Sequence, residues 1–355
     1  MELIGDYELI RDKEHFLGEG SFSQVYQGKY VGSCTYPLTK DTIIAIKIID
    51  KKILTKTTKK VIQDEIEIME LIRHNPHINV VECYDIIQKD NNIYIIMEYC
   101  DSGCLKSIIK KPIKEKYIQY YFTQLAKGLK FLDDLNIIHR DIKPSNILLT
   151  NKRRLLKIAD FGLAKIVKNH ILHNTVCGSP LYMAPEIIGH DQYNKQTDLW
   201  SIGMILFEML YGFHPYNYCR SKLELQHAIK NTDLDIPPPN NRNKDVSKEC
   251  INLLKNLLQK NARNRITWNE FFNNDWIKNI NADTKGDSVN IGSYESSEKD
   301  RENISVKIKK KIDIIENFYD SKIQTTDEEG IFELELEFEK DNYVPINNVV
   351  DISVP

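Results

Sequence analysis

The feature that most restricts what this chain can fold into is the run at residues 137–149. Ile137 and Ile138 lead into His139, Arg140 and Asp141; Lys143, Ser145 and Asn146 follow; Ile147, Leu148 and Leu149 close it. The apolar ends read as buried anchors, so the polar stretch between them is a loop pinned at both ends. A buried polar group left unpaired costs about 1–3 kcal/mol. A loop this polar therefore needs partners from elsewhere in the chain, or a chemical purpose.

The totals leave room for that. With 355 residues, the chain can hold one large two-lobed domain and a tail, or two ordinary domains. A formal net charge of −3 gives no global pull toward nucleic acid or an acidic membrane. The seven cysteines are scattered without C-x-x-C or His/Cys ligand spacing, which suits reduced thiols inside a cell, and a cytoplasmic location is expected. The N-terminus soon turns charged, unlike a signal peptide. No apolar run approaches the ~20 residues a bilayer span requires.

Residues 7–49 read as strands, rich in β-branched side chains and punctuated by Gly and Pro, with a hairpin connection at 32–41. Residues 57–73 turn helical, with Val61, Glu65, Ile68 and Ile72 on one side. Two more strands are expected at 80–84 and 93–97. Past Asp101 the pattern changes to helices at 114–132, 197–210, 247–259 and 267–272, the last two opened by Ser247 and Thr267 as caps. The outline is α+β: a small β-rich lobe (7–100) and a larger helical lobe (101–278). Residues 279–355 read as polar linker and tail. Within it 331–338 alternates with period two, as a half-buried or partner-pairing strand would.

Several groups point to phosphate chemistry. Gly18-Glu19-Gly20-Ser21-Phe22-Ser23-Gln24-Val25 joins two strand-like runs. Bare glycine backbone there can approach phosphates, and Val25 can cover an adenine face; a plain hairpin is the competing reading. Lys47 interrupts an apolar strand, either as an edge lysine with its head in water or as a cation over nucleotide phosphates. In the second case it needs a carboxylate, and Glu65 is preferred over Glu67 because it shares the face of Ile68 and Ile72. Asp141 would take a substrate hydroxyl proton, Lys143 would neutralise the moving phosphoryl group, and Asn146 and Asp160 would offer oxygens to a metal ion. Asp160 follows a short strand at 155–159 and precedes Phe161 and Gly162.

The order glycine loop, strand lysine, His-Arg-Asp loop with Asn146, then Asp160-Phe161-Gly162 resembles the eukaryotic-type protein kinases, over residues 7–278. The resemblance implies a bilobal fold, ATP and Mg²⁺ as cofactors, and protein substrates. It places Met97 at the back of the ATP pocket, Glu98 and Cys100 on the hinge whose backbone meets adenine, and Cys104 near the ribose. It implies an ion pair of Glu186 with Arg265 and a backbone clamp by Asp198. Lys143 and Ser179 point to serine/threonine rather than tyrosine acceptors. A phosphate on Thr175 would pair with Arg140 and switch the loop. His170, His173 and His190 are expected as solvated loop residues, not a metal site. The segments 175–186, 18–26 and 269–273 are most similar to the autophagy-initiating kinase subfamily.

Two other classes remain open: a pseudokinase or nucleotide-binding scaffold without turnover, and a kinase of small molecules. In the tail, Tyr343 stands three residues before Ile346 and follows acidic residues. That resembles the short strand that docks on ubiquitin-like autophagy modifiers by β-augmentation.

Overall fold

β-Branched runs and alternating patterns become strands in the first hundred residues because one long strand can be apolar on both faces. The computed structural model describes residues 1–33, 37–167, 178–189, 194–234, 236–237 and 246–278. It opens with β1 (Glu2–Ile4), β2 (Tyr7–Leu9), β3 (Phe16–Gly20), β4 (Ser23–Tyr30) and β5 (Ile43–Asp50), then α1 (Lys56–His74), β6 (Cys83–Lys89) and β7 (Asn92–Glu98). These strands form a seven-stranded sheet of order β1-β2-β4-β5-β7-β6, with β3 pairing along β4; every pairing is antiparallel. The sheet starts at Glu2, ahead of the expected boundary at residue 7, because β1 hairpins back onto β2.

β5 sorts the two faces. Ile44, Ile46 and Ile48 join Tyr94 and Ile96 of β7 in a small core on the outer face. Ala45, Lys47 and Ile49 alternate with them and so face the other side, where α1 packs. The cross-strand register then sets Val25 and Ile95 beside Lys47, and Met97 beside Ala45, all on that inner face.

Thr55 caps α1 by accepting from the Thr58 N–H, and the stripe buried against the sheet is Ile62, Ile66, Ile68, Met69 and Ile72. Val61, expected on that stripe, is only half-buried. A helix lying on a sheet buries a stripe of about 100° or more, broader than the single row read from the sequence.

The helical lobe holds α2 (Glu115–Asp134), the short strands β8 (Ile137–Ile138), β9 (Ile147–Thr150), β10 (Leu155–Ile158) and β11 (Lys165–Ile166), then α3 (Pro185–Ile188), α4 (Gln196–Tyr211), α5 (Lys222–Asn231), α6 (Lys248–Leu257), α7 (Trp268–Phe272) and α8 (Asp275–Lys278). Every residue of α4 from Thr197 to Tyr211 is buried. Each Leu, Ile, Met or Phe so buried contributes about 1.5–3 kcal/mol, which makes α4 the post around which the lobe packs. At Gly203 a Cβ would come within 2.7 Å of Leu258, so α4 and the end of α6 meet where only glycine fits. Ser247 and Thr267 cap their helices as expected, the latter in a full capping box with Glu270. α5, capped by Ser221, was not anticipated. The tail, with its alternating segment 331–338 and the Tyr343–Ile346 motif, lies outside the described residues, as do Thr175, His170, His173 and His190.

Candidate active site

Three charged side chains from three elements meet where the lobes join. Lys47 Nζ on β5 lies 2.6 Å from Glu65 Oε1 on α1 and 3.3 Å from Asp160 Oδ1, just after β10. Glu65, not Glu67, is thus the lysine's partner. Burial by itself would push the Lys47 ammonium down, but the Glu65 and Asp160 carboxylates outweigh it and hold Lys47 protonated, well above its usual range. Burial raises the Glu65 carboxyl while Lys47 pulls it back. Asp160 is held below the usual carboxylate range, chiefly by the Lys47 charge. Glu65 is almost wholly enclosed and its second oxygen has no hydrogen-bond partner among the described residues. A Cβ at Gly162 would be tight only against Asp160 Oδ1, at 3.3 Å, and in ordinary contact with Lys47 and Glu65 at 3.5 and 3.6 Å, so this glycine lies against all three. Phe161 turns inward, 1% exposed, and tilts against the His139 ring at 5.2 Å.

The pinned loop finds its partners across the domain. Ile137 and Ile138 form β8 and pair with β11; Ile147 to Thr150 form β9 and pair with β10. Between them, Asp198 at the first turn of α4 accepts the N–H of His139 at 2.9 Å and of Arg140 at 3.0 Å. Arg140 has φ of 64°, a left-handed geometry that this clamp holds. Its Nε donates to the Leu163 carbonyl at 2.6 Å. The Asp141 carboxylate accepts the Ser179 N–H at 2.8 Å and the Asn146 side-chain N–H at 3.0 Å. Lys143 Nζ lies 2.6 Å from Ser179 Oγ and 3.2 Å from Asp141 Oδ2. Asp141, Lys143 and Ser179 therefore form one cluster, as the sequence suggested.

The sheet's inner face carries further expected site residues. Val25, Lys47 and Met97 share its inner face, with Met97 half-buried against the core. Phe22 packs against the main core, whereas Glu19 and Ser21 are exposed at the tip between β3 and β4. A Cβ at Gly18 would meet nothing within 4 Å, so bare backbone there borders open space. On the hinge, Glu98 turns its carboxylate to Lys157 at 2.6 Å and donates its own N–H to the Glu82 carbonyl at 2.9 Å. Burial pushes the Cys100 thiol up to about 12, so it stays protonated. Cys104 is half-buried at the start of a short 3-10 turn and forms an isolated bridge with Leu148 of β9.

A divalent cation can be accommodated. Asp160 presents a carboxylate whose side chain is half exposed to the cleft. Asn146 uses its N–H group on Asp141, which leaves its amide oxygen as a ligand. Hard cations such as Mg²⁺ take oxygen donors and keep several non-protein ligands.

Some supports carried no sequence signal. Gly178 has φ of 106°, and a Cβ on it would sit 2.5 Å from the Arg140 carbonyl oxygen, so Gly178 is pressed onto the 139–146 loop. Tyr182 donates to buried Glu208 at 2.8 Å, and burial raises that carboxyl to about 7. Asn79 ties the lobes together, donating to the Leu156 carbonyl at 3.0 Å while its own carbonyl accepts the Ile158 N–H at 2.9 Å. The expected Glu186–Arg265 pair is bidentate, at 2.8 and 3.0 Å, with Arg265 also donating to the Gln196 carbonyl.

Comparison with known proteins agrees with this geometry. Residues 11–277 match the protein kinase domain family. Among curated proteins, the serine/threonine-protein kinase atg1 of Dictyostelium discoideum is 37% identical over 291 residues, covering 80% of this chain and 41% of the relative. ATG1b of Arabidopsis thaliana is 38% identical over 279 residues, 78% of this chain and 37% of the relative. ULK3 of Rattus norvegicus is 38% identical over 265 residues, 74% and 53% respectively. The chain thus spans about two-fifths to one-half of the length of these relatives. The resemblance read from the glycine loop and activation segment points to the same group. With the family's fold built around residues 11–277 and its relatives all named as serine/threonine-protein kinases, the chain belongs to the protein kinase family.

Proposed function

We propose that this chain is an active serine/threonine protein kinase that transfers the γ-phosphoryl group of ATP to Ser or Thr hydroxyls of protein substrates. The observation that carries the reading is the cluster of Asp141, Lys143 and Ser179, tied to the Lys47–Glu65–Asp160 group through Ala159, whose N–H donates to the Asn146 carbonyl at 2.9 Å. In the reaction the acceptor oxygen bonds to the γ-phosphorus, the bond to the β–γ bridging oxygen breaks, and ADP leaves. Asp141 orients the hydroxyl and takes its proton; Lys143 offsets charge on the moving group. Lys47, held in place by Glu65, meets the nucleotide's α- and β-phosphates, under the backbone at Gly18 and Gly20. The hinge backbone at Glu98 and Cys100, with Val25 and Met97, encloses the adenine. Asp160 and Asn146 would hold Mg²⁺, which when bound neutralises phosphate charge.

The Lys143–Ser179 contact supports serine/threonine acceptors. A phosphate on Thr175, paired with Arg140, is the regulatory reading. A ubiquitin-like partner at Tyr343 to Ile346 and a cytoplasmic location rest on sequence alone; no helix among the described residues is long and apolar enough to cross a membrane. The test is radiolabelled ATP with a generic acceptor protein. Asp141→Asn should abolish transfer and leave ATP affinity within about a few-fold, because charge-transfer chemistry and nucleotide binding use different groups. Nucleotide binding without any transfer by the parent protein would favour the pseudokinase, and preference for a free metabolite would favour the small-molecule kinase.

A further inference from the structure

One run of surface charge has no counter-charge of its own. Lys110, Lys111, Lys114 and Lys116 are exposed between the hinge and the start of α2, and among the described residues none forms an ion pair. Glu115, the acid between them, faces inward. Its carboxylate accepts the Ser247 N–H and the Trp276 indole N–H, each at 2.6 Å. Those contacts draw the first turn of α2 against α6 and α8. They also bring the chain at Lys114 and Lys116 up to Ser247, which lines an open groove of about 610 Å³ along α6. Val246 and Ile251, both half-buried, give the groove an apolar floor; Lys248 and Lys255 stand exposed on its rim, and among the described residues Glu249 is the one acid lining it.

The sequence of the same chain holds a complement. Residues 327–341 carry eight carboxylates against one lysine, Lys340. Within them Phe332, Leu334, Leu336 and Phe338 alternate with Glu333, Glu335, Glu337 and Glu339, so an extended strand would be apolar on one face and acidic on the other. The tail also starts at the right place. α8 ends at Lys278 wedged on α2, where Gln119 and Thr123 donate to the Trp276 and Ile277 carbonyls. The intervening residues 279–326 can extend by up to about 3.3–3.6 Å each, far more than the seam requires. A tethered segment meets its site at an effective concentration on the order of mM, so a weak contact suffices.

We propose that residues 327–341 dock in cis along the seam of α2 and α6. The apolar face covers Val246 and Ile251, and the glutamates face Lys114, Lys116, Lys248 and Lys255. This surface is separate from the catalytic cluster, and its test reads contact rather than catalysis. The full chain is treated with a zero-length carbodiimide, and carboxylate–lysine cross-links are mapped by mass spectrometry in a mixture of ¹⁵N-labelled and unlabelled protein. The expected result is same-isotope links from Glu333, Glu335, Glu337 or Glu339 to those four lysines, weakening as salt is raised. Lys114→Glu with Lys116→Glu should cut the yield severalfold. Adding Glu335→Lys and Glu337→Lys should restore links of reversed polarity at the same seam. Mixed-isotope links would mean that a second copy occupies the groove and would overturn docking in cis. Links to other lysines, no links, or a charge swap that restores nothing would each overturn it as well.

Discussion

Asp198→Asn isolates what holds the 139–146 loop in shape. The two carboxylate oxygens receive the His139 and Arg140 N–H groups at 2.9 and 3.0 Å, and Arg140 is held with φ of 64°. Asn has the same size but replaces one acceptor with an NH₂ group aimed at an N–H. One charge-assisted bond, about 1.5–3 kcal/mol, is lost and the other falls to the neutral value near 1 kcal/mol. Burial raises the Asp198 carboxyl, so removing the charge returns part of its desolvation cost. The net loss is about 2–3 kcal/mol, equivalent to about 30–150-fold more of the open loop. Hydrogen exchange should show that loss of protection at the amides of His139 and Arg140, with α1 and the sheet nearly unchanged. Phosphoryl transfer should fall in kcat, with little change in KM for ATP because Lys47, Asp160 and the hinge keep their contacts. The reasoning fails if both amides keep their protection within about threefold, or if protection drops equally across the domain.

Gly178→Ala should cost about 1–3 kcal/mol in backbone strain alone, plus a clash 2.5 Å from the Arg140 carbonyl; urea unfolding and a fall in kcat check it, and an unchanged midpoint would refute it. Lys47→Met strands Glu65 and should lose about 3–5 kcal/mol near neutral pH. Burial already raises Glu65, and without Lys47 it rises further. The loss should therefore shrink as pH is lowered from about 8 to about 5, where the neutral acid is tolerated. Adding Glu65→Leu should recover stability without recovering turnover, as paired unfolding and transfer assays would show. Glu208, raised to about 7 by burial against the pull of Tyr182 and Lys106, favours the folded state below its unfolded value near 4.5 and loses that contribution as pH rises through 7. Over that window the parent should fall by about 3 kcal/mol relative to Glu208→Gln; parallel stability profiles would contradict the burial argument.

Much of the site was legible because its chemistry lies in local strings. His139 to Asn146, Asp160 to Gly162 and the Gly18–Val25 run each carry several unusual residues at short spacing. Lys47 stood out because a lysine inside an apolar strand is costly unless it is paired. Glu65 was separable from Glu67 because helical periodicity assigns the two to different faces. Gly178, Asn79, Lys157 and Glu208 gave no such signal. Each is an ordinary residue whose role arises from a partner far along the chain: Arg140, Leu156, Glu98 and Tyr182. α5 escaped because only Leu225, Ala228 and Ile229 of its ten residues are buried, too thin a stripe to read as a helix.

By itself the sequence determined the order of the main elements, the α+β division near residue 100 and which residues are candidates for phosphoryl chemistry. These follow from periodicity, turn chemistry and side-chain type, which act over a few residues. Only the tertiary structure decided that Lys47 pairs with Glu65 and Asp160 at once. It also decided that Gly178 presses on the Arg140 carbonyl, and that Asn79 reaches the Leu156 carbonyl and the Ile158 N–H nearly 80 positions on. The physical reason is the same in each case. A charge or backbone N–H taken out of water must be met within about 3 Å, and which distant group meets it depends on how whole helices and strands pack.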